Sequence, residues 1–442
     1  MKIFLDSIGC RLNQAEIEKI ARQFRIAGHE IVGEASLADV AVVNTCTVTS
    51  EAAADSRSKI RGAGRAGVEE IIATGCWVTM EPDKAAELTG SNLIVLNDQK
   101  DNLVADFLNL PPETFDLEPL ERTPLPGLRQ RTRAFIKVQD GCDNDCTFCI
   151  TTVARGKGQS RTVDEIHCIT TVARGKGQSR TVDEILADIK SALDGGAKEI
   201  VLTGVHLGSW GQDLGLPISH LIHAILEQTS VPRLRLSSLE PWDLEPDFFK
   251  IWENPRLMPH LHLPLQAGSD TVLRRMRRNT TREEFRALVA SAREIMPDVA
   301  ITTDVIAGFP GETEEEFAET LEFVREIGFA GGHIFTYSPR EGTPAARMKG
   351  QLEKKTRKAR NAALREAFAE MGATYRNRFI GETSSVLWEA SLSNSESGWL
   401  MSGLTGNYLR VHATLPEPRW NQVDQIRLDK VVGELILGLP AP

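Results

Sequence analysis

The sequence predicts an α/β protein in three parts: an N-terminal parallel-sheet α/β domain (residues 1–107), a central partial (β/α)6 barrel (131–376) and a small C-terminal β-barrel (377–440). The first two parts are predicted because short apolar runs alternate with helical stretches through both of them. The third is predicted because the chain then changes to short strand-like runs separated by Gly, Ser and Asn turns. With 442 residues, the chain is also too long for one ordinary hydrophobic core.

Four strands and two helices are predicted for the N-terminal domain. The strands are KIFLD (2–6), DVAVVNTC (39–46), EEIIATGC (69–76) and NLIVLN (92–97), and the helices are AEIEKIARQFRIAG (15–28) and SEAAADSRSKIRGAG (50–64). Strands that alternate with helices build parallel sheets. The following stretch, residues 108–130, is rich in proline and acidic residues without periodicity, so we predict a linker there.

Six strands are predicted for the central barrel, with helical stretches such as TREEFRALVASAREI (281–295) between most of them. The strands are AFIKVQ (134–139), KEIVLTG (198–204), RLRLSS (233–238), HLHLPL (260–265), AITTDVIAGF (300–309) and GHIFTYS (332–338). Because (β/α) barrels carry their chemistry at the carboxyl ends of the strands, the residues that follow each strand are the first candidates for a site.

The charge distribution bears on nucleic-acid binding. A formal net charge of −10 disfavours a protein that contacts nucleic acid over its whole surface, but it allows a local basic patch. Two basic stretches, residues 273–286 and 353–365, are interpreted as RNA phosphate contacts or as solvated helix faces. In the C-terminal barrel acidic residues outnumber basic ones, and Trp399, Tyr408 and Arg410 are its candidates for RNA contact.

The sequence also bounds the cellular setting. No apolar run approaches the roughly 20 residues that span a bilayer, and Asp6 interrupts the apolar stretch at the N-terminus where a signal peptide would need it. We therefore expect a cytoplasmic protein with no membrane partner. Because a reducing compartment argues against disulfides, the seven cysteines are interpreted as metal or redox groups.

Three cysteines form a C-x3-C-x2-C pattern directly after the first predicted barrel strand: Cys142, Cys146 and Cys149. Three thiolates on one short loop can hold three irons of a cubane [4Fe-4S] cluster and leave the fourth iron open to a small chelating molecule. Zinc is the alternative metal, although structural zinc prefers four protein ligands at paired C-x2-C spacing.

A second set of three cysteines is dispersed in sequence but shares one predicted position. Cys10 follows the first strand, and Cys46 and Cys76 close the second and the third. In a parallel sheet those strand ends share one edge, where ligands usually bind, so three thiols can meet there and hold a second cluster. Three buried structural cysteines are the alternative.

The C-x3-C-x2-C pattern after the first strand of a six-unit barrel resembles the radical S-adenosylmethionine (SAM) superfamily. The resemblance implies that the open iron chelates the methionine part of SAM. It also implies that reductive cleavage of SAM yields a 5′-deoxyadenosyl radical, which takes hydrogen from unreactive C–H bonds. The cofactor supplies this chemistry, and the protein positions it and excludes water.

Nearly the whole chain resembles one branch of that superfamily, the methylthiotransferases, which carry two [4Fe-4S] clusters. IGCRLNQAE, VVNTCTVTSEAA and TGCWVT are similar to its N-terminal domain, DGCDNDCTFC, LRLSSLEP and ITTDVIAGFPGETEEEF to its barrel, and GLTGNYLRV to its RNA-binding TRAM domain. The cysteine motifs are most similar to the branch that acts on N6-threonylcarbamoyladenosine in tRNA, and less similar to the isopentenyladenosine and ribosomal-protein branches.

The resemblance implies a reaction, cofactors and partners. The product would be the 2-methylthio derivative at position 37, in the anticodon loop of tRNA, made with SAM and two [4Fe-4S] clusters, one on each set of cysteines. A reducing electron donor such as flavodoxin or ferredoxin would be a partner, and the sulfur donor stays open. The alternatives are methylthiolation of isopentenyladenosine or of a ribosomal-protein side chain, and a tRNA-binding protein with impaired catalysis.

The resemblance also implies SAM contacts at the ends of barrel strands. The implied residues are Thr203, Gly204, Glu240, Gln266, Asp304 and Phe309. The first two would flank the methionine amino group, and the last two would line the adenosine with the neighbouring backbone. For each residue a turn or a barrel-packing role is the alternative. His260 and His262 lie two apart on one strand and share a face, and we interpret them as barrel packing in preference to a metal pair.

One segment of the chain occurs twice. Residues 149–166 recur letter for letter as 168–185, with only His167 between them, which amounts to an insertion of 19 residues. A solenoid needs at least three repeats, so we interpret the copy as a tandem duplication or a sequence error. Cys149 keeps its spacing to Cys146 and is the predicted ligand, with its copy Cys168 as the alternative. The second copy is predicted to start the next helix, and the first to bulge as a loop near the SAM site.

Overall fold

The computed structural model describes residues 1–88, 91–115, 132–150, 178–244 and 247–441. Three sheet systems follow one another along these residues: a parallel sheet, an arc of parallel strands and a closed barrel. This order confirms the predicted fold class. Within the same residues, no helix is both long enough and apolar enough to cross a membrane.

The N-terminal sheet contains five parallel strands in the order β2-β1-β3-β4-β5. Its strands are β1 (Lys2–Ser7), β2 (Glu30–Val32), β3 (Val40–Thr45), β4 (Glu70–Gly75) and β5 (Ser91–Val95), and the helices are α1 (Arg11–Ile26), α2 (Ser50–Arg65), α3 (Cys76–Met80), α4 (Pro82–Ala86) and α5 (Leu103–Leu108). Alternate residues of β3 pack into two different clusters, Val40 and Val42 on one face and Ala41 and Val43 on the other. Both faces of the sheet are therefore buried, as parallel sheets require.

The central arc consists of two three-stranded parallel sheets, β6-β9-β10 and β11-β12-β13. The strands are β6 (Arg133–Lys137), β9 (Glu199–Thr203), β10 (Leu234–Leu236), β11 (His260–His262), β12 (Ala300–Ala307) and β13 (Gly331–Thr336), and a short antiparallel pair, β7 (Gln139–Asp140) and β8 (Gln178–Ser179), follows β6. Bridges from Leu234 to Leu257 and from Ser238 to His262 join the two halves of the arc. In the described part of the chain β6 and β13 do not pair, so the barrel is open on that side.

Helices cover the outer side of the arc and pack on its largest hydrophobic cluster. They are α6 (Val182–Asp194), α7 (Ile218–Gln228), α9 (Arg282–Ile295), α10 (Glu314–Ile327) and α11 (Lys354–Asn377), whereas the short α8 (Asp270–Met276) packs in a separate small cluster. α6 begins in the second copy of the repeated segment, as predicted: Thr181 and Glu184 form a capping box, and Ile185 is fully buried. Residues 151–177, which include most of the first copy and Cys168, lie outside the described residues.

The C-terminal part is a closed five-stranded barrel in the order β14-β15-β16-β18-β17. Its strands are β14 (Thr383–Ser395), β15 (Gly398–Thr405), β16 (Arg410–Leu415), β17 (Val423–Val432) and β18 (Leu435–Pro440). Trp388 and Met401 are fully buried in its core. This barrel packs on the central arc through α11, because Tyr375 and Phe379 at the end of that helix join its hydrophobic cluster.

Candidate active site between two sets of cysteines

The N-terminal cysteines lie at the carboxyl ends of three neighbouring parallel strands. Ser7 pairs with Asn44, and Thr45 pairs with Gly75, so β1, β3 and β4 end at one level of the sheet. Cys10 caps the start of α1, Cys46 follows β3 and Cys76 is the first residue of α3. Cys46 and Cys76 are buried, while Cys10 is exposed.

Two glycines let these loops approach one another. Gly9 has a φ of +108°, and a Cβ atom at this position would lie 2.7 Å from Sγ of Cys46. Gly75 has a φ of +98°, and its Cβ would lie 2.4 Å from the backbone oxygen of Thr45. Any other residue would push the Cys10 loop away from Cys46, or Cys76 away from β3.

Asn13 fixes the same loops through its fully buried side chain. Its amide nitrogen donates to the backbone oxygens of Ile8 at 2.8 Å and Thr45 at 3.0 Å, which ties the end of β1 to the end of β3. The Cys10 thiol lies 3.6 Å from the amide oxygen of Asn13. Sequence analysis missed this residue, although an Asn in the first helical turn after Cys10 is a signal that could have identified it.

The other two N-terminal cysteines have polar supports of their own. The Ser56 hydroxyl lies 3.0 Å from both the backbone nitrogen and the backbone oxygen of Cys46. The side-chain amide of Asn97 donates to Sγ of Cys76 at 3.7 Å. Hydrogen bonds of this kind orient a thiolate and stabilise its charge, as outer groups do around bound metals.

Buried charges attach the N-terminal sheet to the barrel beside these cysteines. Glu16 of α1 accepts from Lys100 at 2.7 Å and from the side chain of Asn44 at 3.0 Å. Lys137, at the end of β6, lies 3.7 Å from Glu16 and 2.7 Å from Asp140. Burial lowers the pKa of Lys137, but its carboxylate neighbours outweigh burial and raise the pKa above the usual value. Lys137 therefore stays charged and joins the two parts of the chain.

The central cysteines lie on the loop that follows β7. The backbone nitrogen of Cys149 donates to the oxygen of Cys146 at 3.1 Å, which closes a turn between these two residues. Thr147 lies inside the turn. Its backbone nitrogen donates to the backbone oxygen of Met276 at 3.0 Å, and its hydroxyl donates to the backbone oxygen of Arg275 at 3.0 Å. α8 therefore positions the turn that presents Cys146 and Cys149.

Arg278 lies beside the central set, and sequence analysis did not single it out. Its Nη1 atom lies 3.5 Å from Sγ of Cys146, and its Nη2 atom donates to Glu240 at 2.5 Å. The guanidinium also lies 4.4 Å from the ring centre of Trp242. Burial raises the pKa of the Cys146 thiol to about 11, and the Arg278 charge opposes that rise. The guanidinium thus favours the thiolate that a metal needs.

His206 supports the first cysteine of the same loop. Its Nε2 atom lies 2.5 Å from Asp243, and its backbone nitrogen donates to Gln139 at 2.9 Å. Burial lowers the pKa of His206, but the hydrogen bonds to Asp243 and Cys142 outweigh burial and raise the pKa to about 10. A protonated imidazole beside Cys142 is a second positive group that favours a thiolate in this loop.

Four of the residues proposed for SAM lie at or near the carboxyl ends of barrel strands, close to these loops. Thr203 ends β9, and its backbone oxygen accepts from Val138 at 2.9 Å. A Cβ on Gly204 would lie 3.0 Å from the side-chain oxygen of Gln139, so the glycine allows close approach. Glu240 is the partner of Arg278 described above. Gln266 has a φ of +73° and bridges to β12.

The other two proposed SAM residues differ in accessibility. Asp304 is partly buried on the inner face of β12, and its Oδ1 atom lies 3.4 Å from Nε2 of His262. Phe309 is fully buried, with its ring 5.5 Å from that of Tyr337 in a small cluster that also contains Phe148. In this arrangement Phe309 is a packing residue of the turn at residues 305–312, VIAGFPGE.

The described residues contain no group of three His, Cys, Asp or Glu side chains arranged around a single metal ion. A cubane cluster makes a different demand, because each thiolate binds its own iron atom. The donor sets fit such a cluster in chemistry, since each consists of three thiols on loops that are tightly fixed and lie beside hydrogen-bond donors.

The histidines of β11 contribute to barrel packing, as interpreted from the sequence. Both rings lie within hydrogen-bond distance of the Thr302 hydroxyl, His260 at 3.2 Å and His262 at 3.0 Å. The ring of His260 stacks on that of Tyr408 at 4.3 Å. Burial lowers the pKa of His260 well below its usual range, so this imidazole is neutral.

Tyr408 corrects an expectation, because it is not available for stacking on RNA. Its hydroxyl accepts from Arg11 at 3.0 Å and from Arg133 at 3.5 Å, while its ring lies 4.9 Å from the Arg235 guanidinium. The tyrosine thus joins all three parts of the chain. Arg410 is likewise paired with Glu389 at 2.6 Å. Their contacts arise from tertiary packing, which the sequence pattern does not reveal.

Several arginines of the basic stretch 273–286 have partners within the protein. Arg275 makes a two-fold hydrogen bond with Glu316 at 3.0 and 2.6 Å, and the exposed Arg286 pairs with Glu326. Arg278 is buried beside the central cysteines. Arg274 and Arg277 are exposed. The buried Arg278 is therefore not available as a phosphate contact, while Arg274 and Arg277 are the candidates that remain.

Two family models match the chain. The Radical SAM superfamily matches residues 136–324, which contain the central cysteines, and the Uncharacterized protein family UPF0004 matches residues 2–96, which contain the N-terminal ones. A solved structure, the radical S-adenosylmethionine methyltransferase TsrM from Kitasatospora setae with cobalamin and a [4Fe-4S] cluster bound, covers 78% of this chain and 77% of its own at a TM-score of 0.56. Its identity is 14%, so this likeness concerns the fold.

Curated relatives match over most of their length. Threonylcarbamoyladenosine tRNA methylthiotransferase MtaB from Bacillus subtilis is 33% identical over 418 residues, which are 92% of this chain and 88% of the relative. The protein of that name from Thermotoga maritima is 36% identical over 87% of this chain and 86% of its own. The tRNA-2-methylthio-N(6)-dimethylallyladenosine synthase of Thermobifida fusca is 34% identical over 86% of this chain and 76% of its own.

Proposed function

This chain belongs to the radical-SAM methylthiotransferase family, in the branch of the threonylcarbamoyladenosine tRNA methylthiotransferases, and we propose that it converts N6-threonylcarbamoyladenosine at position 37 of tRNA to its 2-methylthio derivative. In this reaction the C2–H bond of the adenine is replaced by a C2–S bond to a methylthio group. The family works with SAM and [4Fe-4S] clusters. When bound, these groups supply the radical that removes hydrogen and the sulfur that is delivered.

We assign one cluster to each set of cysteines. Cys142, Cys146 and Cys149 would hold the cluster whose open iron binds SAM, and Cys10, Cys46 and Cys76 would hold the second. Thr203, Gly204, Glu240, Gln266, Asp304 and Phe309 are proposed to line the SAM site. Residues 1–107, 131–376 and 377–440 are proposed as three domains, with 108–130 as the linker.

The observation that carries this assignment is a single loop, residues 338–345, that connects the two sets of cysteines. The backbone nitrogen of Ala345 donates to Thr147, inside the Cys146–Cys149 turn, at 2.9 Å. At the other end of the loop, the Arg340 side chain interacts electrostatically with Cys46. From this we infer that the two sets face a common cleft between the N-terminal sheet and the open side of the barrel, where one substrate base could be reached from both.

The partners follow from the same proposal. The substrate is a tRNA, contacted at its anticodon loop, and the reductant is a low-potential donor such as flavodoxin or ferredoxin in the cytoplasm. The side chains of this protein bind and orient the groups at the cleft and exclude water from them. Arg278 and His206 place positive groups beside Cys146 and Cys142, which favours thiolate ligands.

The proposal is tested by nucleoside mass spectrometry of tRNA from a bacterial strain that lacks this activity, complemented with this chain. We expect 2-methylthio-N6-threonylcarbamoyladenosine to appear, and Cys146→Ala to abolish it. If the nucleoside is absent, the variant lacking residues 150–168 is tested in the same strain. Rescue by this deletion would show that the duplication impairs a tRNA-binding but otherwise competent enzyme, whereas continued absence would overturn the substrate assignment.

A further inference from the structure

Arg340 occupies a fixed position in the loop that connects the two sets of cysteines. Its backbone oxygen accepts from both the nitrogen and the hydroxyl of Thr343, at 3.1 and 2.7 Å, which closes a turn. The same loop is anchored to the central cysteine turn through Ala345 and Thr147. The backbone that carries Arg340 is thus fixed beside the central cysteine turn.

The guanidinium of Arg340 has donor atoms without acceptors among the described residues. Its Nε and Nη2 atoms are buried, and neither has a hydrogen-bond partner among the described residues. Its charge interacts electrostatically with Cys46 and Glu81. Glu81 itself is engaged by Lys84 at 2.7 Å. Arg340 as a whole is partly buried, but buried donor atoms without acceptors are unfavourable unless something else supplies the acceptors.

The strand that precedes Arg340 in the chain, β13, has an exposed aromatic side chain that could contact a nucleobase. On β13, His333, Phe335 and Thr336 are exposed, and 37% of Phe335 is accessible although it is a large apolar side chain. Phe335 pairs with Ile306 of β12 in the strand register. Exposed aromatic faces of this kind stack on nucleobases without needing a particular sequence.

We propose that Arg340 binds an oxyanion of the RNA substrate and thereby positions the target base between the two sets of cysteines. The planar guanidinium fork matches carboxylate and phosphate groups, each of which accepts two parallel hydrogen bonds. This inference rests on the proposed function, since a threonylcarbamoyl adenosine in RNA offers both groups: the carboxylate of its threonyl part and the flanking phosphates. Arg340 is a binding residue in this role and takes no part in the bond changes.

The test measures binding of anticodon stem-loop RNAs to the anaerobic holoenzyme by fluorescence anisotropy. One RNA carries N6-threonylcarbamoyladenosine at the target position, and a second carries unmodified adenosine. The variants are Arg340→Gln, Arg340→Lys, which keeps the charge but loses the fork, and Arg325→Gln as a control on the outer helix α10, where the arginine is exposed. Melting temperature and iron content are recorded for every variant.

We expect Arg340→Gln to raise Kd about tenfold or more, because a charge-assisted hydrogen bond is lost. Weakening limited to the threonylcarbamoyl RNA would identify the carboxylate, and equal weakening of both RNAs would identify a phosphate. Unchanged binding of both RNAs by Arg340→Gln would overturn the proposal. If that variant does not fold, Arg340→Lys decides in the same way. Wild-type holoenzyme that binds these RNAs but leaves them unmethylthiolated would contradict the proposed function, not the role of Arg340.

Discussion

Asn13 is the residue on which the N-terminal set of cysteines depends most, and its replacement by alanine has a calculable effect. The variant removes the donors for two backbone oxygens, those of Ile8 and Thr45, which the side chain now reaches at 2.8 and 3.0 Å. The hydrogen bond to Thr45 is buried, and a buried acceptor left without a donor costs about 1–3 kcal/mol; the bond to Ile8 is part-buried and its loss costs less, because water can reach that oxygen. Even about 1–3 kcal/mol is a substantial share of the about 5–15 kcal/mol that stabilises an ordinary domain.

The lost hydrogen bonds belong to the loops that carry Cys10 and Cys46. Metal content is therefore the measurement that tests this prediction most directly. With one [4Fe-4S] cluster on each set, the reconstituted wild type holds about eight irons per chain, and Asn13→Ala should hold about four. The remaining cluster should keep the spectrum of the central set. Thermal unfolding of the same samples should show a lower apparent midpoint.

Asn377→Ala is the matched control. Asn377 also donates to one backbone oxygen, that of Ala373 at 2.9 Å, but it does so at an exposed helix end. This variant should keep about eight irons and an almost unchanged midpoint, since an exposed acceptor can turn to water. If Asn13→Ala also keeps its full iron content and midpoint, the reasoning that Asn13 holds the cysteine loops together is refuted.

Three further predictions concern other buried groups. Arg278→Gln removes the positive group 3.5 Å from Cys146 and should lower the reduction potential of the central cluster in an EPR-monitored titration; an unchanged potential would contradict this. Burial raises the pKa of Glu199, but Arg235 outweighs burial and holds the pKa at about 2. The Glu199 carboxylate therefore contributes about 3 kcal/mol to the free energy of unfolding above pH 4.5, and this contribution is lost as the pH falls towards 2. In the apoprotein, Glu199→Gln should make the free energy of unfolding depend less steeply on pH in that range. A dependence as steep as that of the wild type would exclude this contribution. Tyr408→Phe should lower the free energy of unfolding measured in urea by about 1–3 kcal/mol, because buried arginines lose their acceptor. An unchanged free energy of unfolding would mean that water replaces the hydroxyl.

Many of the sequence predictions succeeded where the information is local. β3 and β4 were placed within one residue at each end, because buried parallel strands are short apolar runs with clear borders. The position of Cys46 and Cys76 at strand ends followed directly. The three-residue β2 was missed because it is too short to show a period. The sequence shows the arginines of the basic stretch 273–286, but it does not show the acidic residues with which they pair, because these lie far away in the chain.

The sequence by itself determined the fold class, the spacing of the central cysteines and the edge of the sheet on which the other three lie. These depend on contacts between near neighbours and on the rule that parallel strands end on one side. Only the tertiary structure decided which other residues matter: Arg278 lies 132 positions from Cys146, and Arg340, on the loop after β13, interacts electrostatically with Cys46. Asn13 shows its role only when the ends of β1 and β3 meet. Hydrogen bonds and charge pairs act over a few ångströms, so their partners are fixed by folding and are not recorded in the local pattern of the chain.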